Sequence, residues 1–107
     1  MMSFTISYKI LTIYRMKQYQ PYKSDKPDKK YYIITKTGKK VYFGASGYED
    51  YTMHKDLKRK ERYISRHQDA EDWTQNGIDT SGFWSRWLLW NKPTIKESYD
   101  DIKRRFL

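Results

Sequence analysis

The sequence predicts an α+β domain, and three observations carry that prediction. Two short runs rich in Tyr, Ile and Val flank a glycine-containing turn between residues 31 and 43, which reads as a β-hairpin. Ile95, Tyr99, Ile102 and Phe106 recur at i, i+4, i+7 and i+11, the apolar stripe of an amphipathic helix. The stretch Thr80-Ser81-Gly82-Phe83-Trp84-Ser85-Arg86-Trp87-Leu88-Leu89-Trp90-Asn91-Lys92-Pro93 holds three of the 4 tryptophans between a helix start signal and a helix stop signal. A chain of 107 residues makes one domain, and a core of that size must be dense; 11 Tyr, 4 Trp and 4 Phe supply the density.

Taken in order, Phe4-Thr5-Ile6-Ser7-Tyr8-Lys9-Ile10 alternates apolar and polar residues, so residues 1–15 read as an N-terminal strand or extension. Lys9 and Arg15 interrupt its apolar character and no small-residue cleavage site follows, so it is not expected to be a secretion signal. Residues 16–30 are polar, lack periodicity and contain Pro21 and Pro27, which reads as a linker. Residues 31–107 then form a single compact domain.

Within it, Tyr31 to Thr35 and Lys40 to Phe43 are the hairpin strands. A two-residue Thr37-Gly38 loop sets Ile34 opposite Val41 and Tyr32 opposite Phe43 as the core face, with Tyr31, Ile33, Thr35, Lys40 and Tyr42 on the other. Asp56 caps a helix over 56–67 with Leu57 and Ile64 inward, and Gln68 to Thr80 is a loop anchored by Trp73. Phe83, Trp84, Trp87, Leu88, Leu89 and Trp90 cover nearly the whole circumference of a helix over 81–91, capped by Thr80 or Ser81, so that helix is central and buried. A Thr94–Glu97 capping box opens the last helix, 95–106, supported by Asp100–Arg104 and Asp101–Arg105 pairs. The expected architecture is a small antiparallel sheet, from the N-terminal strand plus the hairpin, covered by about three helices.

The net charge of +9 points to a polyanionic partner, nucleic acid first and DNA the expected form. The charge concentrates on the 56–67 helix, where Lys55, Arg59, Arg62 and Arg66 fall at i, i+4, i+7 and i+11 if the helix takes in Lys55. Lys58 joins this set and Lys60 flanks it, while Tyr63 is a candidate stacking neighbour. Lys58, Arg59 and Lys60 sit in the first turn, where the helix dipole disfavours cations by about 0.3–1 kcal/mol each, and a solvated decorative face would place acids there instead. The expected function is therefore non-enzymatic, largely sequence-independent capture of the phosphate backbone.

The absence of cysteine excludes disulfides and cysteine-based zinc sites, and His54 and His67 stand thirteen apart without a ligand-spaced partner, so neither metal nor cofactor is expected. No apolar run reaches the roughly 20 residues of a membrane span, so a membrane partner is not expected either. Two other readings have residues behind them. A structural protein acting through protein–protein contacts, as a homo-oligomer for instance, would use the aromatic surface. A nuclease would use Tyr31 and the Tyr42-Phe43-Gly44 triplet, spaced like the paired motifs of GIY-YIG endonucleases, with Arg59 or Arg62 and Glu71 in support; Lys30-Tyr31-Tyr32 departs from that family's first motif.

Several stretches together carry a resemblance: Lys26-Pro27-Asp28-Lys29-Lys30-Tyr31, Phe43-Gly44-Ala45 with Gly47-Tyr48, Asp50-Tyr51-Thr52, His54-Lys55-Asp56, Arg59-Lys60, Arg62-Tyr63-Ile64, Arg66-His67 and Gly82-Phe83-Trp84-Ser85-Arg86-Trp87-Leu88-Leu89-Trp90-Asn91-Lys92-Pro93. The chain resembles a family of small, uncharacterised basic proteins encoded by large double-stranded DNA viruses of eukaryotes. The resemblance spans Lys26 to Phe106 and implies a viral protein, in the particle or the infected host cell and associated with the virion or genome. It brings no catalytic residues.

Overall fold

The structure, a computed structural model, describes residues 16–107, so the strand expected at Phe4 to Ile10 lies outside the described residues. The architecture is α+β: a three-stranded antiparallel sheet in the order β1 (Tyr22–Lys23), β2 (Lys29–Ile34), β3 (Lys40–Ala45), followed by helices. The strand beside the hairpin comes from the stretch expected to be a linker, with Tyr22 paired to Tyr32 and Lys23 to Tyr31. Pro21 and Pro27 bracket this short edge strand, where a missing N–H costs no ladder bond. Two residues are too few to show a period in the sequence.

The hairpin register is one residue off the expected one. Tyr31 pairs with Phe43, Tyr32 with Tyr42, Ile33 with Val41 and Ile34 with Lys40. The cause is the loop: Gly38 N–H donates to Thr35 O (2.9 Å), Thr35 N–H donates to Lys39 O (2.9 Å), and Gly38 has φ +87°, so three residues rather than two make the connection. A one-residue slip moves every side chain of the shifted strand, here β2, to the opposite face. Val41 and Phe43 are in the core as expected, but Ile33 joins them in place of Ile34 and Tyr32, while Tyr22, Tyr32 and Tyr42 form a row across the other face with ring centroids 5.6 and 5.4 Å apart.

A short helix that the sequence reading did not anticipate, α1 (Tyr51–His54), is capped by the Asp50 side chain, which accepts from Thr52 N–H. Lys55 ends it at φ +55°, and Asp56, accepting from Lys58 and Arg59 N–H, starts α2 (Leu57–His67) as expected. Leu57 is 61% exposed instead of inward. The inward side of α2 is Lys60, Tyr63, Ile64 and His67, spaced i, i+3, i+4, i+7, with the aromatic Tyr63 as its buried anchor.

A 3₁₀ turn, Gln75–Gly77, leads to α3 (Ser81–Trp84), capped by Thr80 and widening into a π turn over Ser85–Leu89. Trp90 N–H donates to Ser85 O (3.1 Å), the i→i+5 bond of that turn. The expected 81–91 helix is thus central but not uniform: Phe83, Trp84, Leu88 and Leu89 are buried, whereas Trp87 and Trp90 are half-buried. Trp84 Nε1–H donates to Ile78 O (2.7 Å), which satisfies its polar atom inside the core. Burying a side chain of this size contributes about 1.5–3 kcal/mol, so Phe43, Phe83, Trp84, Leu88 and Leu89 outweigh any surface ion pair. Trp73 lies against this segment, its carbonyl accepting from Trp87 Nε1–H (2.9 Å).

The last helix, α4 (Ile95–Phe106), has the expected bounds and cap, Thr94 accepting from Glu97 N–H. Its stripe of Ile95, Tyr99, Ile102 and Phe106 packs on the core. Asp101 pairs with Arg105 as expected, but Arg104 turns to Asp101 as well, and Asp100 pairs with Lys96 and Lys103 instead of Arg104. Asp101 is the buried carboxylate, also held by Asn91 Nδ2 (2.9 Å), so it attracts both guanidinium groups.

Candidate nucleic-acid interface

The ends of β2 and β3, one face of α2 and the first turns of α3 enclose a cleft of about 670 Å³. Each wall follows from local sequence. Gly44, at φ +78°, lets β3 approach the π turn closely, since a Cβ there would come within 2.8 Å of Leu89 Cδ1. Asp56 starts α2 so that Arg59, Arg62 and Arg66 face the cleft. Lys29 and Lys30 arrive from β2, Ser81 and Gly82 from α3, and Ser85 from the π turn that follows it.

The cleft lining holds five Lys and Arg side chains against three carboxylates, those of Glu49, Asp50 and Glu71. Two of the cations are engaged. Lys30 Nζ donates to Asp50 Oδ2 at 2.7 Å, with side-chain exposures of 16% and 4%. Arg59 Nη1 meets Glu49 Oε1 at 3.2 Å on the open rim, where such a pair contributes only about 0–1 kcal/mol. Lys29, Arg62 and Arg66 have no carboxylate within 4.0 Å among the described residues. Glu71 packs against Gly82 instead, where an added Cβ would fall 1.8 Å from its Oε2.

The back of α2 is fixed. The Tyr63 ring stacks on Trp90 with centroids 4.4 Å apart and planes 3° from parallel, and on Trp73 at 6.3 Å. Burial, with Glu71 adding to it, pushes the Tyr63 phenol up to about 12. Lys60 Nζ donates to Asn91 O (2.7 Å) above the Tyr51 ring, and burial, together with Arg86 and Lys92, lowers its pKa. Lys60 and Tyr63 therefore hold the helix rather than meet a ligand.

The expected site residues separate accordingly. Arg59, Arg62 and Arg66 share one cleft wall. Tyr63 is buried at its base, closed to base stacking by Trp90. Lys55 is off the stripe, because its left-handed backbone breaks α1 from α2, and its Nζ donates to Thr52 O (3.1 Å). Lys58 is exposed and does not line the cleft. The first-turn cations are also less exposed to the helix dipole than expected, because the Asp56 carboxylate sits at that end, held below the usual range by N–H bonds from Arg59 and Lys58. Two contributors escaped the sequence reading. Lys29 lay just outside the assumed strand, and Tyr48, whose only signal is its place directly after the Gly44-Ala45-Ser46-Gly47 break, stands 74% exposed at the cleft.

The residues cast in the nuclease comparison do not meet. Arg59, Arg62 and Glu71 line the cleft, whereas Tyr42 is on the opposite face of the sheet, its hydroxyl donating to Asp25 Oδ1 (2.7 Å). Among the described residues there is no group of three or more His, Asp or Glu side chains placed to hold a metal ion, and no helix long and apolar enough to cross a membrane.

Residues 20–67, from just before β1 to the end of α2, match a family of unknown function (DUF5754). That segment supplies Lys29, Tyr48 and all three cleft arginines, while the tryptophan-rich α3 lies beyond it. The chain matches no curated protein and no solved structure.

Proposed function

We propose that the protein binds nucleic acid through its phosphate backbone, without base specificity and without chemistry, using the α2 wall of the cleft. The observation that supports this most is the pair Arg62 and Arg66 on a helix anchored from behind, joined by Lys29 from β2: three cations at the cleft that, among the described residues, have no carboxylate within 4.0 Å. Anchoring matters because a preset cation loses less side-chain and backbone freedom when it meets a phosphate. Arg59 joins by exchanging Glu49 for the ligand, an exchange that costs little at an exposed rim. A place on a viral genome or in the particle suits such binding.

The test is affinity across a salt series. The logarithm of the association constant should fall linearly with the logarithm of salt, with a slope of roughly −0.7 to −0.9 per phosphate neutralised. Arg62→Gln and Arg66→Gln should each weaken binding and reduce the slope by about one phosphate's worth, whereas Lys55→Gln should leave it nearly unchanged. Binding that ignores salt, or equal slopes in all three variants, overturns the proposal. A protein that forms only higher assemblies and binds no nucleic acid would instead favour a structural role.

A further inference from the structure

The geometry points to a single strand, with at least one unstacked base, as the ligand of this cleft, and to Tyr48 as the platform on which that base stacks. This rests on the phosphate-binding reading above and narrows it. The Tyr48 ring is 74% exposed, yet its backbone is pinned on both sides. Its N–H donates to Ala45 O (3.4 Å), and its carbonyl accepts from Lys30 Nζ, itself tied to the buried Asp50. Gly47, at φ +86°, makes the turn that presents the ring at the cleft. Tyr48, Lys29, Arg62 and Arg66 therefore border one space: an exposed aromatic face beside unneutralised cations. That combination is what single-strand binders use, phosphates on the basic wall and bases on aromatic rings.

Shape favours the single strand over the duplex. A recognition helix must protrude to enter a major groove about 12 Å wide. Here the arginine face of α2 looks into a concavity closed opposite by the end of β3 and the start of α3. At about 670 Å³ the cleft falls within the range of ligand pockets, roughly 300–1,000 Å³, and takes a short run of one strand rather than a double helix. The residue whose spacing first suggested stacking, Tyr63, has both its position and its ring face committed to Trp90, so the role falls to the aromatic that remains free.

Fluorescence anisotropy with a labelled oligothymidine of about 16 nucleotides, against a duplex of equal length, tests this. The single strand should bind more tightly. Tyr48→Ala should weaken single-strand binding by about 5- to 150-fold, the range seen for loss of one stacked base, and leave duplex binding unchanged; Tyr48→Trp should restore it. Equal affinity for both forms, or an unaffected Tyr48→Ala, overturns this inference while the Arg62 and Arg66 salt slopes still support general backbone binding. If neither form binds, both readings fail together.

Discussion

Replacing Asp50 by alanine should destabilise the protein far more than its place in a loop suggests. Its carboxylate has three tasks: Oδ1 accepts from Thr52 N–H (2.9 Å) and from Thr52 Oγ1, and Oδ2 accepts from Lys30 Nζ at 2.7 Å. Loss of the cap alone costs about 0.5–2 kcal/mol. Removing one partner of a buried ion pair costs about 3–5 kcal/mol, because the other charge is left uncompensated, and Lys30 is only 16% exposed. Lys30 keeps Tyr48 O as an acceptor, which places the expected total near the lower end, about 3.5 kcal/mol. Against a domain stability of about 5–15 kcal/mol that is a large fraction. Urea unfolding followed by tryptophan fluorescence should show the midpoint falling by about 1–3 M at unchanged m-value. Lys30→Met should also destabilise, and Lys30→Met with Asp50→Asn should be more stable than the sum of the single losses predicts, since no lone charge stays buried. A cost below about 1 kcal/mol for Asp50→Ala, or strict additivity in the cycle, refutes the reasoning.

Gly77→Ala should cost about 3 kcal/mol or more, because a Cβ there would lie 1.9 Å from the Asp72 carbonyl oxygen, whereas Gly38→Ala, with open space but φ +87°, should cost only about 1–2 kcal/mol; thermal unfolding ranks the two. Tyr63 has a folded pKa of about 12, above its unfolded value of about 10, so the stability it contributes is complete below about pH 10 and lost as pH rises to about 12. Chemical denaturation across that window should show a steeper decline for the native protein than for Tyr63→Phe. Burial raises the Asp101 carboxyl, but the hydrogen bond from Asn91 and the Arg105 and Arg104 charges outweigh it and hold the pKa below normal. Its contribution is therefore present above about pH 3.9 and lost as pH falls through the folded value, so the stability gap to Asp101→Asn, about 1–3 kcal/mol at neutral pH, should close in acid.

Long, capped elements were legible in the sequence. Thr94 and Asp56 announce α4 and α2 by the same chemistry the structure shows, a side-chain oxygen accepting the first free N–H groups. What resisted reading depends on single residues. One extra loop residue before Lys39 exchanges the faces of β2, and no composition rule distinguishes a two-residue from a three-residue connection there. Of the basic stripe, Arg59, Arg62 and Arg66 share one wall, whereas Lys55 stands apart from it; a four-residue helix and its left-handed cap are too short to leave a periodic trace. Tyr63 looked like a ligand-facing aromatic because spacing alone cannot say which side of α2 meets Trp90.

The widened turn at Ser85–Leu89 makes this segment tolerant of chemistry but intolerant of length. Adding or dropping a residue there without a compensating change of winding would rotate everything downstream by roughly 80–100°. Leu88 and Leu89 would swing out of the interior, and Trp90 would leave the ring it supports. Drift in this chain should therefore proceed by exchange of side chains between Ser85 and Trp90, with insertions and deletions confined to the loops on either side.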